Sequence, residues 1–554
     1  MLGAEAVALH CYKTTLISCI SLKSPNPLNR TRTMALSFVL GFAAAALVLQ
    51  VIRMVFNSWQ HSRNAKSLGC GSVPLYPCKD PLGIDNLKQS LAADKAKLVP
   101  ELAEKRVKII SDQENRYVTT FSIRNLGRTH IFTIDPKNIQ ALLATQFKDF
   151  ELGSVRRSSL HPLLGTGIFT ADGEEWSRSR GLLRPQFTRE QISQLDLEEE
   201  HVQKAMQALP VAANGWTATT DIQSIFFRLT IDSATEFLFG ESVESQLGAL
   251  NNLNRPEDSF ASYFDKSQWV CAQRSRFEKL PFLAENKETK FSDKQVHSFV
   301  DKVVSTALAA SQAEKKASPD QKSSYVFLEA LLEVTRDPIE LRSQLLNILL
   351  AGRDTTASLL SWTTLMLARH PEVFTKLRET IISNFGTYSN PQNITFATLK
   401  SCQYLQYVMN EVLRLYPVVP FNRRNATRDT TIPRGGGPDG QDPVYVRKGQ
   451  SVIYTTHVMQ RRKDLWGPDA DQFKPDRWTS RRPGWEYIPF NGGPRICIGQ
   501  QFALTEAGYV IVRLLQRFDR IEDVYPDQQI RYGLTLTSAP GDLVTVRLHQ
   551  AEDA

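Results

Sequence analysis

The hydrophobic pattern of the chain begins with one long apolar run near the N terminus. Ala35 to Ile52 contains only Ser37 and Gln50 as polar residues, and its eighteen residues just suffice to cross a bilayer as a helix. Basic residues follow it closely, beginning with Arg53, so the positive-inside rule places the rest of the chain in the cytosol. We expect a single transmembrane anchor at 34–56. A cleaved signal peptide is the alternative, but no clean cleavage site follows the run.

The segments on either side of this span differ in character. Residues 1–33 carry several basic residues of their own, which weakens the charge asymmetry, and a chain that began at Met34 would restore it. We therefore treat 1–33 as an uncertain leader or extension. Residues 57–90 hold Pro74, Pro77 and Pro81 among glycines, a composition that disfavours helix and predicts a connector to the domain at 91–554.

The pattern in the body of the chain is mainly helical. Helical periodicity fills most of Arg189 to Leu415, and the Lys/Ser-rich stretch Ser311 to Ser324 is expected to be an exposed loop. Alternating residues within Val107 to Ile134, such as Tyr117 to Ile123, predict an early sheet. The acidic run Asp196 to Glu200 is expected to be a solvated helix face. The pattern predicts a mainly α fold with a smaller β-rich portion.

Composition narrows the classes of partner. The chain has 554 residues and a formal net charge of +8, but no block of basic residues is interleaved with aromatics, which argues against nucleic acid. A membrane surface and an acidic redox partner explain the charge better. The seven cysteines form no C-x-x-C pair, so a reducing compartment is expected and a structural zinc site is not.

One cysteine stands in a glycine-rich loop that suggests a specific chemistry. The pattern F-x-x-G-x-R-x-C-x-G is matched by Phe490, Gly493, Arg495, Cys497 and Gly499. Such a loop can offer a thiolate to haem iron, where a thiolate favours O–O cleavage, while the arginine binds a propionate. The alternative for Cys497 is a buried structural thiol.

A polar interruption lies within the long apolar helical stretch Leu341 to Arg369. Here Gly352 would leave room for O₂, and Asp354 followed by Thr355 could relay protons to bound oxygen. The alternative is a local kink in which Thr355 bonds back to a backbone carbonyl. From these residues alone the two interpretations are equally supported.

Two further motifs complete the set. Glu411 and Arg414 share one helical face, and Arg477 could join them in a buried network with a structural role. Trp176 and Arg180 also share a helical face, and an indole N–H beside a guanidinium suits a haem propionate. The remaining candidate for a propionate contact is Arg424.

In this order the motifs resemble those of the cytochrome P450 family. The segments Asp232 to Gly240, Leu349 to Thr356 and Ile432 to Gly440 resemble, more closely, its fungal membrane-bound branch that hydroxylates n-alkanes and fatty acids. The resemblance implies haem b held by Cys497, between a long oxygen-binding helix and the cysteine loop. It also implies an NADPH- and O₂-dependent monooxygenase, supplied with electrons by NADPH-cytochrome P450 reductase and anchored once in the endoplasmic reticulum membrane.

The expected reaction is terminal (omega) hydroxylation of a long-chain n-alkane or fatty acid. Apolar residues near the motifs are candidates for the substrate channel, namely Leu350, Ala351, Val418, Val419, Phe421 and Leu536. The alternative is a secondary-metabolite oxidase acting on a polyketide or terpenoid, because branch resemblance constrains oxygen chemistry better than pocket shape. Asp354 and Thr355 disfavour both a haem-binding protein without turnover and an isomerase or dehydratase that works without O₂.

Overall fold

The computed structural model describes residues 27–187, 195–251, 256–278, 280–314 and 326–552. The chain divides into two units, Met1–Leu68 and Gly69–Ala554. In the first, helix α1 (Pro27–Ser67) extends beyond both ends of the anchor expected at 34–56. Its segment Leu40–Ser67 contains an 18-residue window with a mean hydropathy of 1.7, none of which is buried, so the helix is long and apolar enough to cross a membrane. The first 26 residues of the expected leader lie outside the described residues.

Helices make up most of the second unit. Their bounds are α2 (Ile84–Lys95), α3 (Val99–Gln113), α4 (Pro136–Gln140), α5 (Ser154–Leu164), α6 (Gly173–Leu183), α7 (Asp196–Gln207), α8 (Ile222–Phe239), α9 (Ser245–Leu250), α10 (Pro256–Arg276), α11 (Lys287–Glu314), α12 (Phe327–Leu332), α13 (Pro338–Arg369), α14 (Pro371–Phe385), α15 (Phe396–Ser401), α16 (Gln403–Leu415), α17 (Thr456–Met459), α18 (Lys463–Trp466) and α19 (Gln500–Arg517).

The strands form small sheets. They are β1 (Thr120–Asn125), β2 (Arg128–Thr133), β3 (Phe150–Glu151), β4 (Thr220–Asp221), β5 (Phe421–Ala426), β6 (Thr430–Gly436), β7 (Asp442–Val446), β8 (Ser451–Thr455), β9 (Phe518–Asp523), β10 (Tyr532–Leu534), β11 (Ser538–Pro540) and β12 (Thr545–Gln550). The largest sheet has the order β1-β2-β8-β5-β3, with β2 and β8 parallel, and a second has the order β4-β12-β9. Strands β6 with β7 and β10 with β11 form two-stranded sheets. The expected mainly α fold with a smaller β-rich portion is confirmed.

The early sheet is present as the antiparallel pair β1 and β2, while Val107 belongs to α3. The connector that follows α1 is tied to the body of its own unit. Leu75 bridges to Ser122 of β1, and the Gly71 N–H donates to the Pro443 carbonyl at 2.9 Å. Of the Lys/Ser-rich stretch, 311–314 completes α11 instead of forming a loop, and 315–324 lies outside the described residues.

Helix α13 forms the centre of the second unit. The Asp337 carboxylate accepts hydrogen bonds from the Ile339 and Glu340 N–H groups and so caps its first turn, where Pro338 is well tolerated. Most of its residues from Leu341 onward are buried, because it packs against α8, α11, α16 and α19. Fully burying an apolar side chain contributes about 1.5–3 kcal/mol. This packing holds the polar interruption at 351–356 inside the molecule.

The acidic run is not a solvated face throughout. Residues 196–200 open α7, which packs against both α8 and α19, and Glu198 is only 5 % exposed as a result. Glu199 is bound by Arg513 at 3.0 Å. The expectation of a solvated face is therefore wrong for Glu198.

Candidate active site

A large cavity lies between α13 and the cysteine loop. Cys497 and Thr355 both line it, although 142 positions separate them in the chain. It contains about 1700 Å³ of space between atoms, open solvent at its mouth included. The cavity therefore brings α13 and the cysteine loop, which are far apart in the sequence, to one space.

Gly493 shapes the cysteine loop. Its φ is +66°, and a Cβ built there would lie 1.8 Å from the Leu143 carbonyl oxygen, so only glycine fits. The turn Gly493–Arg495 follows, and the Cys497 N–H then donates to the Phe490 carbonyl at 3.0 Å. Together these contacts aim the cysteine at the cavity.

Cys497 lines the cavity and is exposed to its space. Burial raises the pKa of the thiol, while a hydrogen bond from the Gly499 N–H and the charge of Arg180 lower it. A metal cation at the sulfur would add a much larger stabilisation of the thiolate. The N–H of Gly499 and the guanidinium are placed to support that charge.

Trp176 lies between two arginines at the cavity wall. The Arg495 guanidinium carbon is 4.4 Å from the Trp176 ring centroid and that of Arg180 is 5.9 Å away. Arg495 also donates to the Asp172 carboxylate at 2.7 Å, and burial lowers its pKa to about 10. Arg180 donates to the Ile496 carbonyl at 3.0 Å, which ties α6 to the cysteine loop. The structure thus brings the predicted Trp176, Arg180 and Arg495 together.

Arg156 joins this group, and sequence reasoning missed it. It lies on α5 outside any recognisable motif, and its side chain donates to the Phe169 carbonyl at 3.0 Å and to Asn422 Oδ1 at 3.4 Å. Burial and the nearby charge of Arg424 lower the pKa of Arg156 to about 10. Arg424, predicted from the sequence, is only 2 % exposed, and its Nε has no hydrogen-bond partner among the described residues.

The arginines at the cavity wall have too little negative charge around them, and this bears on whether haem fits the site. Arg156, Arg424 and Arg495 are mutually repulsive, and the carboxylate that faces them from the described residues is Asp172. Burying excess positive charge is costly unless it is paired. The two propionates of haem would supply the missing negative charge, with Cys497 as the iron ligand. The residues present therefore fit haem.

Gly352 opens the cavity side of α13. A Cβ built there would meet only the Cβ of Ala234, at 3.8 Å. Thr355 lines the cavity and its Oγ1 donates to the Ala351 carbonyl at 2.6 Å, the back-bond that formed the alternative interpretation. A threonine hydroxyl can also accept a hydrogen bond, so the back-bond leaves it able to act on a cavity ligand.

Asp354 faces away from the cavity. It is 3 % exposed, and burial raises its pKa to about 6 although Arg353 opposes the rise. Arg353 donates to Asp354 at 3.3 Å and binds both carboxylate oxygens of Asp265, whose side chain is 56 % exposed. Asp354 is therefore connected to solvent through Arg353 and Asp265. It is not among the residues that line the cavity with Thr355.

The predicted structural network is assembled around Glu411. Arg414 donates to both of its carboxylate oxygens at 2.9 and 2.8 Å, and Arg477 donates at 2.8 Å. The Trp478 indole and the Lys474 N–H donate to the same carboxylate, each at 3.0 Å. Arg414 also reaches the Gln460 and Ala470 carbonyls, so the network joins α16 to the segment before the cysteine loop.

The substrate candidates divide into two groups. Ala351, Val418 and Val419 line the cavity, together with Phe490 from the cysteine loop. Leu350, Phe421 and Leu536 are not among the lining residues. Leu350 and Leu536 pack in one hydrophobic cluster and Phe421 packs against another. Sequence reasoning missed most of the apolar lining, which includes Phe169, Phe187, Ala234, Phe237, Ile348, Leu359 and Phe502.

Comparison with known proteins decides the family. The cytochrome P450 family model matches residues 97–543. The chain belongs to the cytochrome P450 family. Cytochrome P450 monooxygenase g430 of Fusarium sp is 51 % identical over 510 residues, covering 90 % of this chain and 88 % of that protein. Cytochrome P450 monooxygenase alt2 of Alternaria solani is 46 % identical, with 90 % and 96 % covered.

A yeast protein and a solved structure extend the comparison. Cytochrome P450 52A13 of Debaryomyces hansenii is 50 % identical over 413 residues, covering 73 % of this chain and 78 % of that protein. The crystal structure of the cytochrome P450DA heme domain has a TM-score of 0.70 at 23 % identity, covering 87 % of this chain and 98 % of that one. The chain therefore has the cytochrome P450 fold, and haem with a thiolate iron ligand is the cofactor that the family implies.

Proposed function

We propose that this cytochrome P450 is a membrane-anchored, reductase-coupled monooxygenase that hydroxylates long-chain n-alkanes or fatty acids at or near the terminal carbon. The observation that carries the proposal is a single cavity that presents Cys497 and Thr355 together within otherwise mostly apolar walls. Three sequence segments that resemble the fungal alkane and fatty-acid branch support the substrate class. Relatives named cytochrome P450 52A, such as 52A13 at 50 % identity, support the same branch.

The residues of the chain have separable roles in this reaction. Bound haem supplies the redox chemistry that activates O₂, and a thiolate ligand favours O–O cleavage. Arg156, Arg424 and Arg495 would hold the propionates and fix the ring within the cavity. Thr355 would hold a proton at Oγ1 beside the reacting oxygen. The apolar walls exclude water, which protects the reaction from side products.

Asp354 would replenish that proton by rotating from Arg353. Its raised pKa, about 6, lets it bind and release a proton close to neutral pH. The exposed Asp265 gives the pair access to solvent. This arrangement makes Arg353 the positioning residue that holds Asp354 between protonation events.

The supply of electrons and substrate follows from the membrane anchor. Helix α1 is apolar enough to span a bilayer, and we propose a single pass in the endoplasmic reticulum membrane with the catalytic unit in the cytosol. NADPH-cytochrome P450 reductase would then deliver electrons at the same membrane. An apolar substrate dissolved in the bilayer would be close at hand.

A binding difference spectrum on haem-loaded protein tests the substrate class. Hexadecane, lauric acid and oleic acid are titrated beside a panel of fungal polyketides and terpenoids. A low-to-high-spin shift with the long-chain lipids, followed by ω-hydroxy products when reductase and NADPH are added, supports the proposal. A shift confined to a bulky metabolite would overturn the lipid assignment in favour of a secondary-metabolite oxidase.

A further inference from the structure

The glycine-rich motif that joins β6 to β7 has no part in the reaction described above, and in the structure it contacts the connector. The Gly71 N–H of the connector donates to the Pro443 carbonyl at 2.9 Å. In return, the Gly437 N–H donates to the Ser72 carbonyl at 3.1 Å. Residues 435–443, the glycine turn, therefore hold the connector by backbone hydrogen bonds that run in both directions.

The contact requires glycine on both sides. A Cβ built on Gly71 would lie 2.1 Å from the Gly437 nitrogen. One built on Gly436 would lie 2.8 Å from the Gly71 carbonyl oxygen and 2.6 Å from that of Pro443. Neither Gly71 nor Gly436 has a positive φ, so backbone conformation alone does not call for glycine at either position. Close approach of two stretches of backbone is the remaining reason for glycine here.

The glycine turn is itself fixed to the body of the catalytic unit. The fully buried Asn138 side chain donates to the Arg434 carbonyl and accepts from the Arg434 N–H, both at 2.8 Å. The next residue, Gly435, lies against the side chain of Thr120 on β1. The turn is therefore a rigid surface, and the connector is the segment that can bind to it or leave it.

This contact shortens the free chain that follows the anchor helix. Helix α1 ends at Ser67, four positions before Gly71, and four extended residues span at most about 14 Å. After Ser72, the next hydrogen bond from the connector backbone to the described body is at Pro74, whose carbonyl accepts from the Ser122 N–H at 2.8 Å. If Gly71 and Ser72 were released, seven residues would separate Ser67 from that bond and could span about 25 Å. The glycine turn therefore removes nearly half of the reach of the tether.

We propose that the glycine turn is a docking surface for the connector, and that this docking keeps the catalytic unit close to the membrane. The segment that docks is Gly71 and Ser72 of this chain. Recognition is by shape and by backbone hydrogen bonds, so it depends on the absence of side chains at Gly71 and Gly436. The role at the membrane rests on the proposed function, because it requires α1 to be inserted in the bilayer.

Hydrogen–deuterium exchange of the full-length holoenzyme in phosphatidylcholine vesicles tests the docking. The Gly437 amide is the reporter, because its hydrogen-bond acceptor belongs to the connector. In Gly71→Ala the added methyl should displace the connector, and the Gly437 amide should then exchange about tenfold faster. Ser72→Ala is the matched control and should exchange like wild type, because Ser72 docks through its backbone carbonyl and its side chain is exposed. Equal exchange at Gly437 in wild type and Gly71→Ala would overturn the proposal, whatever the position of α1.

Energy transfer from lipid to haem tests the tether. Bound haem quenches a blue-emitting fluorophore on the lipid headgroups more strongly the closer it lies to the bilayer. At equal haem content, quenching should be weaker in Gly71→Ala than in wild type and in Ser72→Ala.

Gly436→Ala alters the same contact from the other side and should weaken quenching in the same way. If Gly436→Ala does not fold, Gly71→Ala still decides, because Gly71 lies outside the glycine turn. Faster exchange at Gly437 with unchanged quenching would refute the role at the membrane. If alkaline carbonate releases wild type from the vesicles, the proposed anchor fails, while exchange at Gly437 still decides the docking.

Discussion

Replacing Glu411 with glutamine removes one charge from the most densely bonded carboxylate of the fold. The side chain keeps its volume, but one oxygen that accepts hydrogen bonds becomes an NH₂ group that donates them. Two arginines, an indole and a backbone N–H point at that carboxylate. At least one of these donors would face another donor in Glu411→Gln.

The expected cost follows from burial. Glu411 and Arg414 are both fully buried, at 0 % exposure, so solvent cannot replace the lost interactions. Removing one partner of a buried ion pair costs about 3–5 kcal/mol. The entropy of unfolding for a unit of this size is about 1 kcal/mol per kelvin, so the thermal unfolding midpoint should fall by about 3–5 °C.

Chemical denaturation of the holoenzyme measures this difference, with tryptophan fluorescence for the fold and haem absorbance for the site. Asp476→Asn is the control, because Asp476 lies near Arg477 but pairs with Lys376 at the surface, where both side chains are 51 % exposed. That change should cost less than about 1 kcal/mol. A Glu411→Gln protein as stable as Asp476→Asn would refute the structural role of the network.

Three further changes test other parts of the site. Gly493→Ala should lose haem incorporation because its Cβ would strike the Leu143 carbonyl, and a normal haem content per protein would contradict the loop geometry. Thr355→Ala should keep haem but divert electrons to peroxide, and unchanged product per NADPH would argue against a proton role. Burial raises the pKa of Asp354 from 3.8 to about 6, so between pH 3.8 and about pH 6 the folded state binds more protons than the unfolded state. The unfolding free energy should therefore fall as the pH rises through this window. Relative to Asp354→Asn, the unfolding free energy of the wild type should fall by up to about 1.4 kcal/mol per pH unit in that window. Urea denaturation at a series of pH values measures this, and the same pH dependence in both proteins would refute the burial argument.

The sequence was most informative where function is carried by short, contiguous patterns. The loop around Cys497 and the pair Glu411 and Arg414 lie within a few residues, so spacing alone indicates which side chains share a turn or a helical face. The fold class followed from periodicity and from resemblance. These features depend on local geometry, which the order of residues specifies directly.

The features that were missed depend on tertiary packing. Neighbouring residues on a helix point about 100° apart, so Asp354 and Leu350 share a motif with cavity residues yet face elsewhere. Arg156 reaches the cavity from α5, where no local pattern marks it. Glu198 is buried only because α7 packs against two other helices, and an acidic run in one dimension cannot show this.

Gly352 separates the width of the cavity from the stability of α13. Alanine in a helix interior is more stable than glycine by about 0.4–1 kcal/mol where no clash results, and here the added methyl would touch only Ala234 at ordinary contact distance. The chain therefore gives up stability at this position to keep space open in the cavity. Because alanine would fit here without a clash, the width of the cavity at this point of α13 can be changed by one substitution that does not weaken the fold.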